Sequence, residues 1–361
     1  MNLISIVIPN FSGGGAEKVM TTLANSLHNQ GYKVDLVVFS NSGAFVNDIH
    51  HEVNIVNLST SRASFTVYSL VQYISHNRPD VILSALTHVN IATIIAKFFS
   101  RVDFRLVISE HAVVSVIAGN TKQLKEKLYP FFMKLLYRFS DHIITVSEAV
   151  LNDVVSITSV DLNQITTIYN PIDIQTIKNN VKKSTLTKKS IYQIIAVGRL
   201  TQEKDFITLI KAFYLVKKEI DACLVILGDG GEYSKIKECI KKYDLEKSVS
   251  MLGFVDKPET HIIESDLLCV SSVSEGFGNV IVEALVLGIP VIATDCGGPR
   301  EILEDGLYGN LVPVGDYKTI SKEMIKAITV EQNLPTIKHL ENRFGVAEVT
   351  SKYLEVLLKN E

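Results

Sequence analysis

The chain opens with an apolar run, "LISIVIP", a glycine loop, "NFSGGG", a helix-spaced stretch, "AEKVMTTLANSLHNQ", and a second apolar run, "KVDLVVF". Val19, Leu23 and Leu27 share one face of the helix, which stops at Gly31. Strand, loop, helix and strand in this order make a parallel βαβ unit, because parallel neighbours need a crossover long enough to hold a helix. "DVILSAL", "FRLVISEH" and "DHIITVS" extend the alternation, and "ITTIYNPID" closes the first half. Residues 174–189, "IQTIKNNVKKSTLTKK", are polar and rich in Lys and Thr, and read as a linker. The alternation then restarts with "IYQIIAVG", "DFITLIKAFYLVKKE", "ACLVILG", "GEYSKIKECIKKYDL" and "VSMLGFV", and continues through "DLLCVSS", a helix over 278–288 and "PVIAT".

Two doubly wound α/β domains in tandem fit this pattern better than one long sheet, and 361 residues suit two domains. The expected division is 1–172, a linker at 173–189, 190–342, and a C-terminal helix at 343–361 that packs back towards the N-terminal domain. Hydrophobic residues at 47% and charged residues at 21% are ordinary for a folded chain with sizeable cores. A net charge of −3 argues against a nucleic-acid binder. Cys223, Cys239, Cys269 and Cys296 lack metal-ligand spacing and read as reduced core thiols. The N-terminus reads as a strand rather than a signal peptide, and no run of 18 or more apolar residues occurs. The expected compartment is the cytoplasm.

Ligands of open α/β sheets bind beyond the C-terminal strand ends, and four loops there are unusual. "GGGAEK" precedes the first helix, where Gly14 and Gly15 would let backbone amides approach an anion; a tight packing turn explains them equally well. The loop is neither Gly-x-Gly-x-x-Gly nor a P-loop. His111 follows the strand "FRLVISE" and is either a donor to substrate or a structural histidine. Arg199 and Lys204, in "VGRLTQEKD", could clamp a diphosphate, the one by its fork and the other as a point charge.

The fourth loop is "SEGFGNVIVEALVLGIPVIATDCGGPREIL". Gly276 and Gly278 lead into a helix near Asn279, whose free amides suit a phosphate. Were all eight steps from Glu275 to Glu283 helical, they would rise about 12 Å. Glycosidase carboxylates stand roughly 5 to 9.5 Å apart and face one bond, so a hydrolytic pair is disfavoured. No Asp-x-Asp or His/Asp cluster stands out to hold a metal. Each carboxylate is left gripping its own hydroxyls, with phosphates between.

In family order over nearly the whole chain, "GGGAEKV", "SEH", "VSE", "NPID", "VGRLTQEKD", "ILGDGGE", "LGFV", the Glu275 segment and "YGNLVPVGD" resemble the retaining glycosyltransferases of family 4. That resemblance implies the GT-B fold, two Rossmann-like domains facing a central cleft. It implies that Arg199 and Lys204 hold the donor diphosphate and stabilise the leaving group. Glu283 would accept from ribose hydroxyls, and Glu275 would contact hydroxyls of the transferred sugar. Backbone at Gly276, Phe277, Gly278 and Asn279 would bind phosphate or sugar, and backbone at Phe254 and Val255 would read the base. Gly14 and Gly15 would line the diphosphate or acceptor side, and His111 would touch the donor sugar. The implied reaction is a front-face, metal-independent and cofactor-free hexosyl transfer from a UDP-sugar. The implied acceptor is a glycan or lipid-linked glycan of lipopolysaccharide or capsule synthesis.

Within 122–139, "KQLKEKLYPFFMKLLYRF", Leu124, Leu128, Phe131, Leu135 and Phe139 sit at helical spacing, with Lys127, Lys134 and Arg138 on another stripe. A basic amphipathic helix of this kind docks on the anionic inner-membrane face or holds a lipid pyrophosphate. The plainer reading is a core helix with a solvated basic face, interrupted at Pro130. Rival functions are a nucleotide-sugar 2-epimerase of the same fold, a non-catalytic nucleotide-sugar-binding protein, and an NAD-dependent oxidoreductase. The last lacks its glycine fingerprint.

Overall fold

Strand β1 (Leu3–Ile8) is buried at every residue. An unbroken apolar run is what a central parallel strand with helices on both faces requires, since neither face meets water. Around it lie β2 (Lys33–Val38), β3 (Asn54–Asn57), β4 (Val81–Ala85), β5 (Arg105–Glu110), β6 (His142–Thr145) and β7 (Ile165–Thr167). Among the described residues these form a seven-stranded sheet in the order β3-β2-β1-β4-β5-β6-β7, and the pairings are parallel. A second sheet holds β8 (Tyr192–Val197), β9 (Ala222–Leu227), β10 (Val249–Gly253), β11 (Leu267–Val270), β12 (Val291–Thr294) and β13 (Asn310–Val312). Its six described strands run β10-β9-β8-β11-β12-β13. In each sheet the order reverses beside the first strand, and that reversal opens a crevice at the C-terminal strand ends.

The computed structural model of the chain describes residues 3–12, 14–60, 63–181 and 191–359. Gly13 of the glycine loop and residues 182–189 of the linker stretch lie outside the described residues. The chain divides into two compact units, Met1–Ile172 with Asn342–Glu361, and Asp173–Glu341. In the first, the C-terminal helix Val346–Leu357 places Val349, Tyr353 and Leu357 in the core beside β1 and the helix Gly15–Asn29. Arg105 Nε donates to Val356 O at 3.0 Å, and Thr350 Oγ1 to Ser26 Oγ at 2.8 Å.

Two local expectations change. The polar stretch begins as a helix, Ile174–Asn180, because Ile174 and Ile177 bury their side chains and Asp173 caps the Thr176 amide. The segment 122–139 is two short helices, Leu124–Lys127 and Tyr129–Leu136, followed by a 3-10 turn, Tyr137–Phe139. Pro130 sits in the first turn of the second helix, where its missing N–H leaves no bond unmade.

A fully buried carboxylate ties this segment to the sheet. Glu110, at the end of β5, accepts from Thr87 Oγ1 at 3.0 Å, Asn90 Nδ2 at 2.8 Å and Tyr137 OH at 2.6 Å. Burial pushes its pKa up to about 7, against the lowering effect of those donors. The folded chain therefore holds this proton where the unfolded chain releases it, and Glu110 contributes less stability as pH rises through 7. His111 and His142, each pushed down to about 4 by burial, act in the opposite sense and lose their contribution as the pH falls. Melting wild type and Glu110→Gln between pH 5 and 8 isolates the carboxylate. Wild type is expected to lose stability relative to the variant as pH rises, and parallel curves would contradict the assignment.

Candidate active site

In the second unit, the loops after β8 and β11 flank the reversal of strand order. The first carries Arg199 and Lys204, the second Glu275. Lys204 Nζ and Glu275 Oε1 form an ion pair, with the side chains only 22% and 11% exposed. Ser272 Oγ donates to the same carboxylate oxygen at 2.7 Å. The backbones are stitched as well. Val273 N donates to Glu203 O at 2.7 Å, Ser271 Oγ to the carbonyls of Lys204 and Asp205 at 2.9 and 3.1 Å, and Thr294 Oγ1 to Ser272 O at 2.5 Å. An ammonium has three donors, so the pair leaves Lys204 two more N–H groups. Arg199 is exposed on the same loop, and among the described residues its guanidinium makes no ion pair.

Past Glu275 the chain bends into a helix. Glu275 N donates to Cys296 O at 3.3 Å, and Gly298 N donates back to Glu275 O at 3.2 Å. A Cβ on Gly298 would lie 2.3 Å from Phe277 O, so only glycine lets the two loops approach. Gly278, with φ of 110°, turns the chain into the helix Asn279–Val286. Glu283 is buried within that helix. Helical geometry begins only at Asn279, so the sequence estimate of a 12 Å separation does not hold; from Asn279 to Glu283 the rise is about 6 Å. What separates the carboxylates is their environment: Glu275 is held by Lys204 and Ser272, and Glu283 is buried in the helix. Phe254, 53% exposed, and Val255 follow β10 at the same C-terminal side of the sheet, two strands from β8.

The cysteines are free, but only Cys269 is buried; Cys223, Cys239 and Cys296 are half-buried, which corrects the all-core reading. Burial pushes the Cys296 thiol, beside Glu275, up to about 12, so it stays protonated and is not a nucleophile near neutral pH.

The first unit carries the other group. His111 follows β5 directly, half-buried, with Nε2 at 3.0 Å from Ser109 Oγ. With its pKa near 4 the ring is neutral at pH 7 and offers one donor and one acceptor. Gly14 caps the helix Gly15–Asn29, and Glu17 of the first turn folds over it: a Cβ on Gly14 would lie 2.1 Å from Glu17 Oε2. A carboxylate already sits at this helix N-terminus, where the dipole favours negative charge.

The expectation of a core face on the 122–139 segment is overturned. Leu124 is 72%, Phe131 62% and Leu135 47% exposed, while Met133 and Tyr137 turn inward instead. Lys127, Lys134 and Arg138 are exposed beside them. The sequence reading missed Phe98 and Phe99, 54% and 68% exposed at the end of the helix Thr87–Ser100. Phe98 meets Phe139 edge-on at 4.9 Å, joining the two elements into one apolar surface, and the Arg138 guanidinium lies 4.8 Å from the Phe139 ring centre. Ser272 and Glu110 were missed too. Neither has a local sequence signal, because each acts on a partner distant in the chain.

Residues 13–176 match the family model described as Glycosyltransferase Family 4, and residues 177–343 that described as Glycosyl transferases group 1. The amylovoran biosynthesis glycosyltransferase AmsD of Erwinia amylovora is 27% identical over 311 residues, 85% of each chain. The N-acetylgalactosamine-N,N'-diacetylbacillosaminyl-diphospho-undecaprenol 4-alpha-N-acetylgalactosaminyltransferase of Campylobacter jejuni is 29% identical over 328 residues, 87% of each. In fold, the chain resembles HepE of Anabaena, solved with UDP and glucose, at a TM-score of 0.84 and 22% identity over 99% of each chain. With both halves matched and both sheets in Rossmann-like order, the chain belongs to the glycosyltransferases of the GT-B fold, with a family 4 N-terminal part and a group 1 C-terminal part.

Proposed function

We propose that the chain moves a hexosyl group from a nucleoside-diphosphate sugar, with retention of configuration, to a lipid-linked glycan in cell-surface polysaccharide synthesis. The observation that carries this reading is the Lys204–Glu275 pair at the strand-order reversal, next to an exposed Arg199 and the start of the helix Asn279–Val286. Lys204 holds Glu275 with one N–H and the donor diphosphate with the others. Arg199 takes the diphosphate by its fork, and the backbone at Gly276–Asn279, leading into a helix N-terminus, binds phosphate or sugar. Glu275, aimed by Lys204 and Ser272, accepts from hydroxyls of the sugar. Glu283 accepts from the ribose, and backbone at Phe254 and Val255 reads the base. A UDP-sugar is the favoured donor, consistent with the UDP in the HepE structure.

Glu275 is committed to an ion pair and Cys296 is protonated, so neither of these two side chains is poised to form a glycosyl-enzyme. The transfer therefore goes by front-face attack. The bond from the anomeric carbon to the diphosphate oxygen breaks, that oxygen takes the acceptor's proton, and the acceptor oxygen bonds on the same face. Arg199, Lys204 and the helix N-terminus stabilise the leaving charge without a divalent cation. In the first unit, the neutral His111 has a ring N–H to offer a sugar hydroxyl. The carboxylate of Glu17 folded over Gly14 supports reading the Gly14–Gly15 loop as the acceptor side rather than the diphosphate side.

The aromatic surface of Phe98, Phe99, Phe131 and Phe139, with Lys127, Lys134 and Arg138, docks on an anionic bilayer, where a lipid-linked acceptor would be met. The Campylobacter relative is named for transfer to a diphospho-undecaprenol glycan. Among the described residues no helix is long and apolar enough to cross a membrane, and the attachment proposed is peripheral.

Lys204→Ala is expected to cut acceptor-dependent release of nucleoside diphosphate at least a hundredfold while weakening donor binding about tenfold or less. Glu283→Ala weakens donor binding about tenfold, the cost of roughly one hydrogen bond to a charged acceptor. Full turnover in Lys204→Ala would exclude the leaving-group role. In sedimentation with vesicles, the chain should partition onto phosphatidylglycerol but not phosphatidylcholine. Phe98→Ser/Phe131→Ser should lower that partition more than tenfold, in line with the value of burying an aromatic side chain. Equal binding by the variant would remove the patch from the docking surface.

A further inference from the structure

We infer that His28, His50 and Glu52 form a binding site for a borderline transition-metal ion such as Zn²⁺, distinct from the residues of sugar transfer. His28 lies in the last turn of the helix Gly15–Asn29, and His50 and Glu52 lie in the loop before β3. One ligand atom from each falls within 4.8 Å of the others. His28 Nε2 stands 3.1 Å from Glu52 Oε2, and the His28 and His50 rings are 4.8 Å apart. Zinc binds imidazole nitrogen and carboxylate oxygen at about 2.0–2.2 Å in tetrahedral geometry. Gathering three such atoms around one ion takes movements of about 1 Å in half-exposed side chains. Water completes the fourth position.

The scaffold beneath is ordered before any ion arrives. Asn25, three residues before His28, holds the loop at two points. Its Nδ2 donates to Asp48 O at 2.7 Å, and its Oδ1 accepts from His50 N at 2.9 Å. Phe45 and Val53, on either side, are anchored in the core. Val53 N donates to His50 O at 2.9 Å, closing a turn that presents His50 and Glu52 together. Such preorganisation lowers the ordering cost of binding. The Glu52 carboxyl is held below its ordinary range, first by the hydrogen bond to His28 and then by the neighbouring His51. The donor set of two imidazoles and a carboxylate suits Zn²⁺, Ni²⁺ or Cu²⁺ rather than Mg²⁺, which prefers an octahedron of oxygens.

The site is structural. It stands at the far end of a 15-residue helix from Gly14, about 22 Å away along the axis. An ion there pins the C-terminus of that helix to the loop 44–53 and binds the folded state only, so it raises stability by mass action.

The test is titration of Zn²⁺ into the tag-free, EDTA-stripped full chain, followed by calorimetry and thermal melting at pH 7.5 and 5.5. One equivalent should bind at pH 7.5 and raise the melting temperature. Affinity should fall at least tenfold at pH 5.5, where protons compete for the imidazoles. His28→Gln and His50→Ala should each lower affinity at least tenfold and abolish the melting shift, with unchanged circular dichroism. Glu52→Gln, the mildest change, should lower affinity with the fold intact. Mg²⁺ should give no heat. Absence of saturable Zn²⁺ binding would overturn the inference. So would a full equivalent retained by the His28→Gln/His50→Ala double variant, which would assign the ion to the cysteines or elsewhere.

Discussion

A single ion pair sets the geometry of the second unit. Lys204 comes from the loop after β8 and Glu275 from the loop after β11, and these strands are neighbours only because the sheet order reverses there. Taking both charges partly out of water costs free energy that their attraction only partly offsets, so such a pair is a poor source of stability. Its effect is placement. Ser272, Ser271 and the Val273 amide fix the two loops to each other, and the pair fixes the side chains within them. The proposed reaction gives both residues a share in one chemistry. A lysine with three donors can serve a carboxylate and a diphosphate at once, and a carboxylate so held can grip hydroxyls without becoming a nucleophile.

The same separation of roles runs through the first unit. Glu110 is a carboxylate kept from water and met by three donors, so it organises β5, the helix Thr87–Ser100 and the Tyr137 turn. That arrangement turns Met133 and Tyr137 inward and leaves Phe131, Leu135 and Phe139 outside. An exposed aromatic surface is costly in water, and contiguous patches of this kind mark contact surfaces. The buried network and the exposed patch are two faces of one segment.

The α/β architecture was legible because central parallel strands must be apolar throughout, and runs such as "LISIVI" and "ACLVIL" alternate with helix-spaced stretches. The glycine at 278 was legible too, since it occurs where the chain must turn with positive φ into the helix, whereas the close approach of Gly298 to Phe277 showed only in three dimensions. Pairing across the fold was not. Lys204 and Glu275 each appeared as candidates, but their direct contact depends on which strands lie side by side. Ser272, Glu110 and Phe98 have no periodicity or motif that reports their partners. His28 and the "HHE" of residues 50–52 were passed over because a helix end and a later loop meet only in three dimensions. The start of the helix near Asn279 was legible for a local reason: the glycines that make the 275–278 loop tight also keep it from being helix.

The central claim is that sugar transfer here uses charge held at Lys204 and Arg199 and no covalent nucleophile. The most direct test is the anomeric configuration of the product, read by proton NMR from the one-bond and three-bond couplings at the anomeric carbon, with an α-linked nucleoside-diphosphate sugar as donor. The account predicts an α-linked product, formed without a trapped glycosyl-enzyme in mass spectra of the intact chain under turnover. A β-linked product, or a covalent adduct one sugar heavier than the chain, would contradict it.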